Sequence, residues 1–234
     1  MFNKELFEYD ELNHIGYYQG EVVPSVTQLL ELLFPIDKDI PADRIQKAAE
    51  RGTEIHDKIA QVNEVFRDCT DKEYEDLLKD TIKYAIKSGM QELIDYVSLI
   101  KAYKLIPYES EKMVFLLDEN QDLICYGTLD FIAKSKESIT FNEDTLFEEG
   151  DYYLFDFKTT SLFATEKTSW QTMAYSIAYN QAYKLDITKT FGIWLRDGVK
   201  IMPLHSLDPQ QTIDTFKRLR VAFDIRRNKE NTIY

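Results

Sequence analysis

The stretch Tyr152-Tyr153-Leu154-Phe155-Asp156-Phe157-Lys158 decides how the rest of the chain is read. Five of its seven residues are apolar or aromatic, which predicts a short buried strand. Side chains two apart on a strand share a face, so Asp156 and Lys158 project together from an apolar segment. A buried charge is costly unless it is paired or bound to a cation. This is the only acid-x-lysine triplet in the chain, and its place inside such an apolar strand tells more than its existence. A plain ion pair at a strand end is the ordinary alternative.

Working outward, Tyr126-Gly127-Thr128-Leu129-Asp130-Phe131-Ile132 reads as a second strand that buries its sides and again carries one acid. Two carboxylates on adjacent strands, Asp130 and Asp156, supply hard oxygen ligands suited to Mg²⁺ or Mn²⁺. Lys158 beside them can orient a water, help deprotonate it, and stabilise charge on a phosphate. For Asp130 alone, a strand-end carboxylate bonded to backbone is the ordinary alternative. Segments 112–117 and 123–133 are predicted strands joined by a polar turn over 118–122. Glu111 shares strand parity with Met113, Phe115 and Leu117 and is expected to face inward, unless it is a solvated strand-start acid.

The N-terminal half is mostly helical in pattern. Residues 1–23 read as an irregular or short β-hairpin lead-in. Ser25 after Pro24 is a good N-cap for apolar positions Val26, Leu29, Leu30 and Leu33, which stop at Pro35. A second helix is expected from about Ala42 to Phe66, with His56 on its apolar face four residues after Gly52. A lone histidine there is ordinarily a core residue. A third stretch, 71–104, is expected to break near Ser88-Gly89. Beyond the central strand, 134–151 is a polar, acidic excursion, 170–183 a helix, 191–196 and 199–204 a hairpin around Asp197-Gly198, and 209–227 a closing helix. On the first of these helices Gln171 and Tyr175 are i, i+4 neighbours, expected to leave a free edge for a ligand.

Composition narrows the classes. At 234 residues, with 44% hydrophobic and 13% aromatic residues, the chain supports one full domain and is not expected to be disordered. Cys69 and Cys125 are too few for a disulfide scaffold, a four-thiolate zinc site or a cysteine-ligated iron–sulfur cluster. No apolar run approaches the ~20 residues of a membrane span, and Met1-Phe2-Asn3-Lys4-Glu5 is unlike a signal peptide, so an intracellular location is expected. The net charge of −13 argues against a broad basic surface coating nucleic acid. It is uneven: residues 155–234 carry 12 basic and 8 acidic residues, leaving −17 on the remainder. Lys217, Arg218, Arg220, Arg226 and Arg227 are candidates for phosphate-backbone contacts, or simply a solvated helix face.

Taken in order, Arg51-Gly52-Thr53-Glu54-Ile55-His56, Glu111, Gly127-Thr128-Leu129-Asp130, Asp156-Phe157-Lys158-Thr159 and Gln171-x-x-x-Tyr175 resemble the RecB-like branch of the PD-(D/E)XK nuclease superfamily. Pro24-Ser25-Val26-Thr27 resembles the opening of its phage-type and mitochondrial genome-maintenance exonucleases. Leu129 stands where the superfamily's name has proline, and Asp156 where many members have Glu. The resemblance covers residues 24–227. It implies an α/β fold with a restriction-endonuclease-like core, a central mixed β-sheet flanked by helices, preceded by an N-terminal helical part. Residues 1–234 would form a single domain, 1–106 mainly helical and carrying His56, and 107–234 a β-β-β-α-β-β-α core.

The resemblance also implies site roles. His56, Asp130, Asp156 and the Phe157 carbonyl would bind Mg²⁺ or Mn²⁺. Lys158 would position the attacking water, and Glu111, with Glu109 as its competitor, would be the further family acid. Gln171, Tyr175 and Thr159 would hold DNA. The activity implied is a metal-dependent DNA exonuclease of replication, recombination or repair, in a bacterial or phage-infected cytoplasm or an organelle. Its partner would be DNA, single-stranded or with free ends, with a basic or DNA-binding protein as a further candidate; no membrane is expected. The alternatives are a catalytically silent nuclease-like protein that binds DNA or a partner, and an acidic mimic of DNA.

Overall fold

The computed structural model describes residues 1–35, 41–67, 69, 71–141, 144–187, 189–196 and 198–232. The side chains of 71, 72, 141, 144, 145 and 230–232 are not described, and Asp197 of the expected hairpin turn lies outside the described residues. The chain opens with three short antiparallel strands, β1 (Phe7–Asp10), β2 (Ile15–Tyr18) and β3 (Glu21–Val23). The N-terminal part is therefore not purely helical. Helix α1 (Val26–Leu30) follows, capped as expected: Ser25 Oγ accepts from the Gln28 N–H at 3.2 Å and Gln28 Oε1 accepts from the Ser25 N–H at 2.8 Å.

Three longer helices come next, α2 (Ala42–Arg67), α3 (Asp71–Ser88) and α4 (Gln91–Ala102). The break falls at Gly89, whose φ of +67° lets the chain turn while the Met90 N–H returns to the Ala85 carbonyl at 2.9 Å. The remaining elements are β4 (Leu105–Leu117), β5 (Leu123–Ser135), β6 (Ile139–Phe141), β7 (Asp144–Phe147), β8 (Tyr152–Lys158), α5 (Thr165–Tyr183), β9 (Thr190–Leu195), β10 (Val199–Pro203) and α6 (Pro209–Thr232).

The architecture is α/β. A five-strand mixed sheet runs in the order β10-β9-β8-β5-β4, with β8 and β9 parallel and every other neighbour antiparallel. Helix α5 supplies the crossover that a parallel pair requires. Helices cover both faces. On one, Phe131, Phe155 and Phe157 pack with Ile55, Ile59, Leu93, Tyr96 and Val97 of α2 and α4. On the other, Leu129, Ile132 and Leu154 pack with α1, α5 and α6 through Leu29, Leu30, Ala174, Ala178 and Phe216. Burial on both faces explains why β8 and β5 read as continuous apolar runs rather than as clean alternation.

Three boundaries differ from the sequence expectation. β4 starts at Leu105, because Tyr108 and Glu109, polar in pattern, sit on a strand with a bulge between Pro107 and Glu109. α5 starts at Thr165 and α6 extends to Thr232. The acidic excursion is anchored by the β6–β7 hairpin, whose Phe147 is fully buried against Tyr103, Tyr153 and Phe191.

Candidate metal centre

His56 rises from the middle of α2 toward the sheet. Its Nδ1 lies 3.6 Å from Glu111 Oε1 and 3.6 Å from Asp130 Oδ1. One ligand atom from each of His56, Glu111 and Asp130 falls within 4.8 Å of the other two. Its ring stands edge-on to Phe157, which in turn meets Tyr96 edge-on, so an aromatic wall backs the histidine.

The strands deliver the acids through a local irregularity. Ser110 pairs with Phe131 and Lys112 with Leu129, so Glu111 and Asp130 occupy the rung between them. At that rung both strands change faces. Ser110 reaches Asn63 on α2 whereas Lys112 lies over the Tyr183 ring of α5; Phe131 packs on the α2 side whereas Leu129 packs on the α5 side. Glu111 carries the change in its backbone, at φ +47°, a conformation that costs a non-glycine residue on the order of 1 kcal/mol. The parity expected from Met113 and Phe115 therefore does not hold at Glu111. The two candidate acids sit differently. Glu109 is taken by Lys112 at 3.2 Å and Arg67 at 3.9 Å, while Glu111 joins His56 and Asp130.

Asp130 is fixed from behind: its Oδ2 accepts the Phe157 N–H at 2.7 Å, leaving Oδ1 toward His56. The Phe157 backbone is thus tied to the group through its N–H. Asp156 is not a member of the compact triad. It is 1% exposed, with Lys158 Nζ 2.5 Å from Oδ2, yet neither carboxylate oxygen has an aligned hydrogen-bond donor. Lys158 Nζ also donates to Gln171 Oε1 at 3.4 Å, and Gln171 Nε2 donates to the Tyr175 hydroxyl at 3.3 Å.

The Gln171–Tyr175 edge, expected to stand free, is 7% and 3% exposed. It backs Lys158 from inside α5 because β5 leaves room for it at Gly127, where a Cβ would sit 2.5 Å from the Tyr175 ring. Thr159, just past β8, faces Gly52 of α2, its Oγ1 being 3.7 Å from where a Cβ on Gly52 would sit. Of the basic residues on α6, Lys217 is paired with Glu119 at 2.6 Å, and Arg220 with Asp224 at 2.9 Å and the Ile124 carbonyl at 3.0 Å.

Burial and mutual charge tune the group strongly. Burial opposes charging His56, but Asp130, Glu111 and Asp156 outweigh it and push the imidazole up to about 9. Burial pushes Asp156 up to about 6, with Lys158 pulling down and Asp130 pushing further up. Asp130 is likewise raised by burial against the pull of His56 and Lys158. Lys158 stays charged because Asp156 and Asp130 outweigh its own desolvation.

Sequence reading missed one component, the buried Asn63. Its Nδ2 donates to Ser110 Oγ at 2.8 Å and its Oδ1 accepts from the Tyr96 hydroxyl. The signal was present, since Asn63 is a polar residue two helical turns from His56 on the apolar stripe of α2. Two cavities, of about 320 Å³ and 290 Å³, lie elsewhere, lined by other residues. The ligand atoms of the centre converge closely enough to hold an ion. Among the described residues, no helix is long and apolar enough to cross a membrane. No protein-family model matches the chain, and a search of curated proteins finds no match.

Proposed function

We propose that the chain is a divalent-metal-dependent deoxyribonuclease, acting as an exonuclease on DNA in replication, recombination or repair. The observation that supports it is the meeting of His56, Glu111 and Asp130, far apart in sequence, beside the buried Asp156–Lys158 pair. The residues fit a cation. One imidazole nitrogen and several carboxylate oxygens form a donor set for Mn²⁺ or Mg²⁺. Asp156 Oδ1, buried and without a hydrogen-bond partner while Oδ2 is held by Lys158, is the kind of unsatisfied acceptor that such an ion satisfies. His56, Glu111, Asp130 and Asp156, with the Phe157 carbonyl, would hold it.

Bound there, the ion would polarise a phosphoryl oxygen and lower the pKa of a water. The protein's own groups do the rest. Lys158, charged and restrained by Gln171, is placed to orient the attacking water and to offset charge on the phosphate. The Phe157 N–H keeps Asp130 from rotating away. Tyr175 holds Gln171, so the two act on substrate through Lys158. The −13 charge favours one competing reading, an acidic partner-binding protein or DNA mimic.

Incubating the protein with end-labelled single- and double-stranded DNA and Mn²⁺ or Mg²⁺ tests the proposal. Degradation that Lys158→Ala slows on the order of 10²–10⁴-fold is expected. Degradation by Lys158→Ala at the parent rate, or none by the parent, would overturn it. Closed circular DNA left intact while linear DNA is consumed marks an exonuclease.

A further inference from the structure

Seven of the eight glycines have a reason in the fold. Four turn the chain at positive φ, and at Gly16, Gly127 and Gly192 a Cβ would strike an aromatic ring. Gly52 has neither reason. It sits inside the 26-residue helix α2, where only proline is a poorer helix former. Among the described residues outside α2, the one heavy atom within 4 Å of an added Cβ is Thr159 Oγ1, at 3.7 Å, an ordinary contact. The fold would accept a methyl group here and gain helix stability from it. A glycine that packing does not need, in a helix that it weakens, points to close approach by a ligand.

The place of Gly52 says which ligand. It lies four residues before His56, so the two share a face of α2, about 6 Å apart along the axis. The His56 ring meets Phe157, and Gly52 faces Thr159, the residue that follows Lys158. Gly52 and Thr159 thus form the rim of the candidate centre on the α2 side, one turn from its histidine. Burial changes at this turn: Ile55 is buried, Gly52 half-buried, and Ala48 and Ala49, next along the same face, are exposed. The rim therefore opens to solvent. It is also held in place, because Arg51 Nη2 donates to both Glu92 carboxylate oxygens at 3.0 and 2.9 Å and pins α2 to α4. With the helix pinned, clearance has to come from the residue itself. The N–H groups of a helix interior are spent within the helix, so the service of Gly52 is steric.

We propose that Gly52 is a clearance residue for substrate: the sugar–phosphate backbone of the DNA strand being cut crosses α2 over Gly52 and Thr159 on its way to the ion. The proposal rests on the nuclease reading and deepens it by naming where the strand enters.

The test is fluorescence anisotropy of a labelled oligothymidylate across a salt series, with Ca²⁺ replacing the catalytic ion, beside melting curves of the same proteins. Gly52→Ala should weaken binding about fivefold and Gly52→Leu about tenfold or more, within the range that overfilling a close contact covers. The slope of log K against log salt should stay that of the parent, because no phosphate loses a cation. Gly52→Ala should nonetheless melt above the parent, since alanine is the better helix former. Weaker binding by a more stable protein is what a merely structural glycine does not produce. Parent affinity in Gly52→Leu, or Gly52→Ala melting below the parent, would overturn the proposal. Failure of the underlying reading looks different: the parent binds the oligothymidylate and Gly52→Leu weakens that binding, yet nothing is cleaved with Mn²⁺. A parent that does not bind overturns both.

Discussion

Glu111 is the residue where backbone geometry and chemistry meet. Its left-handed φ turns β4 over and brings its carboxylate to His56. Removing the carboxylate in two ways separates these roles. Glu111→Gly and Glu111→Ala both lose the acid, but only Ala keeps the strained backbone. The Gly variant should therefore be the more stable by about 1 kcal/mol in urea denaturation. Ala equal to or better than Gly would mean that the left-handed turn is absent. The titrating groups make a second prediction. His56 has its proton affinity raised in the folded chain from 6.5 to about 9, and Asp156 from 3.8 to about 6. Both bind a proton more tightly folded than unfolded, so each contributes stability at low pH that is lost as pH rises. In EDTA the melting temperature should fall across pH 4–6 from Asp156 and again from about 6.5 to 9 from His56. His56→Gln should flatten only the upper fall; a parent whose stability rises there contradicts the assignment.

At the scale of elements, α2, α4 and β4 are joined beside the centre by the Tyr96–Asn63–Ser110 chain, with Asn63 in the middle. Asn63→Ala leaves the Tyr96 hydroxyl buried without its acceptor, which costs about 1–3 kcal/mol. It should also loosen Mn²⁺ binding, because Ser110 adjoins Glu111. Calorimetric Mn²⁺ affinity unchanged in a folded Asn63→Ala protein would show that the chain is only structural. Two glycines contrast. Gly127→Ala should destabilise by about 1–3 kcal/mol, since its Cβ would strike the Tyr175 ring at 2.5 Å. Gly52→Ala meets nothing closer than Thr159 Oγ1 at 3.7 Å and should stabilise α2 by about 0.5–1 kcal/mol. Equal melting temperatures for the two variants would contradict the packing.

Across the whole molecule, legibility follows regularity. β8 keeps its period of two, so Asp156 and Lys158 were readable as neighbours on one face, and so was the mixed sheet with helices on either side. The slip at Glu111 was not, because parity carries no information across a change of face. The three N-terminal strands were only partly visible, being three or four residues each. Gln171 and Tyr175 were legible as a pair but not as a buried one, since α5 is covered on nearly all sides and shows little amphipathic signal.

The net charge then gives the account its most direct test. An acidic decoy has no need of an ion, whereas a nuclease centre of three carboxylates and a histidine does. Mn²⁺ titrated calorimetrically into the parent and into Asp130→Asn at pH 7.5 decides between them. The account predicts saturable binding to the parent with proton release from His56, and loss of that binding in Asp130→Asn. No Mn²⁺ binding by the parent, or equal binding by the variant, would contradict it.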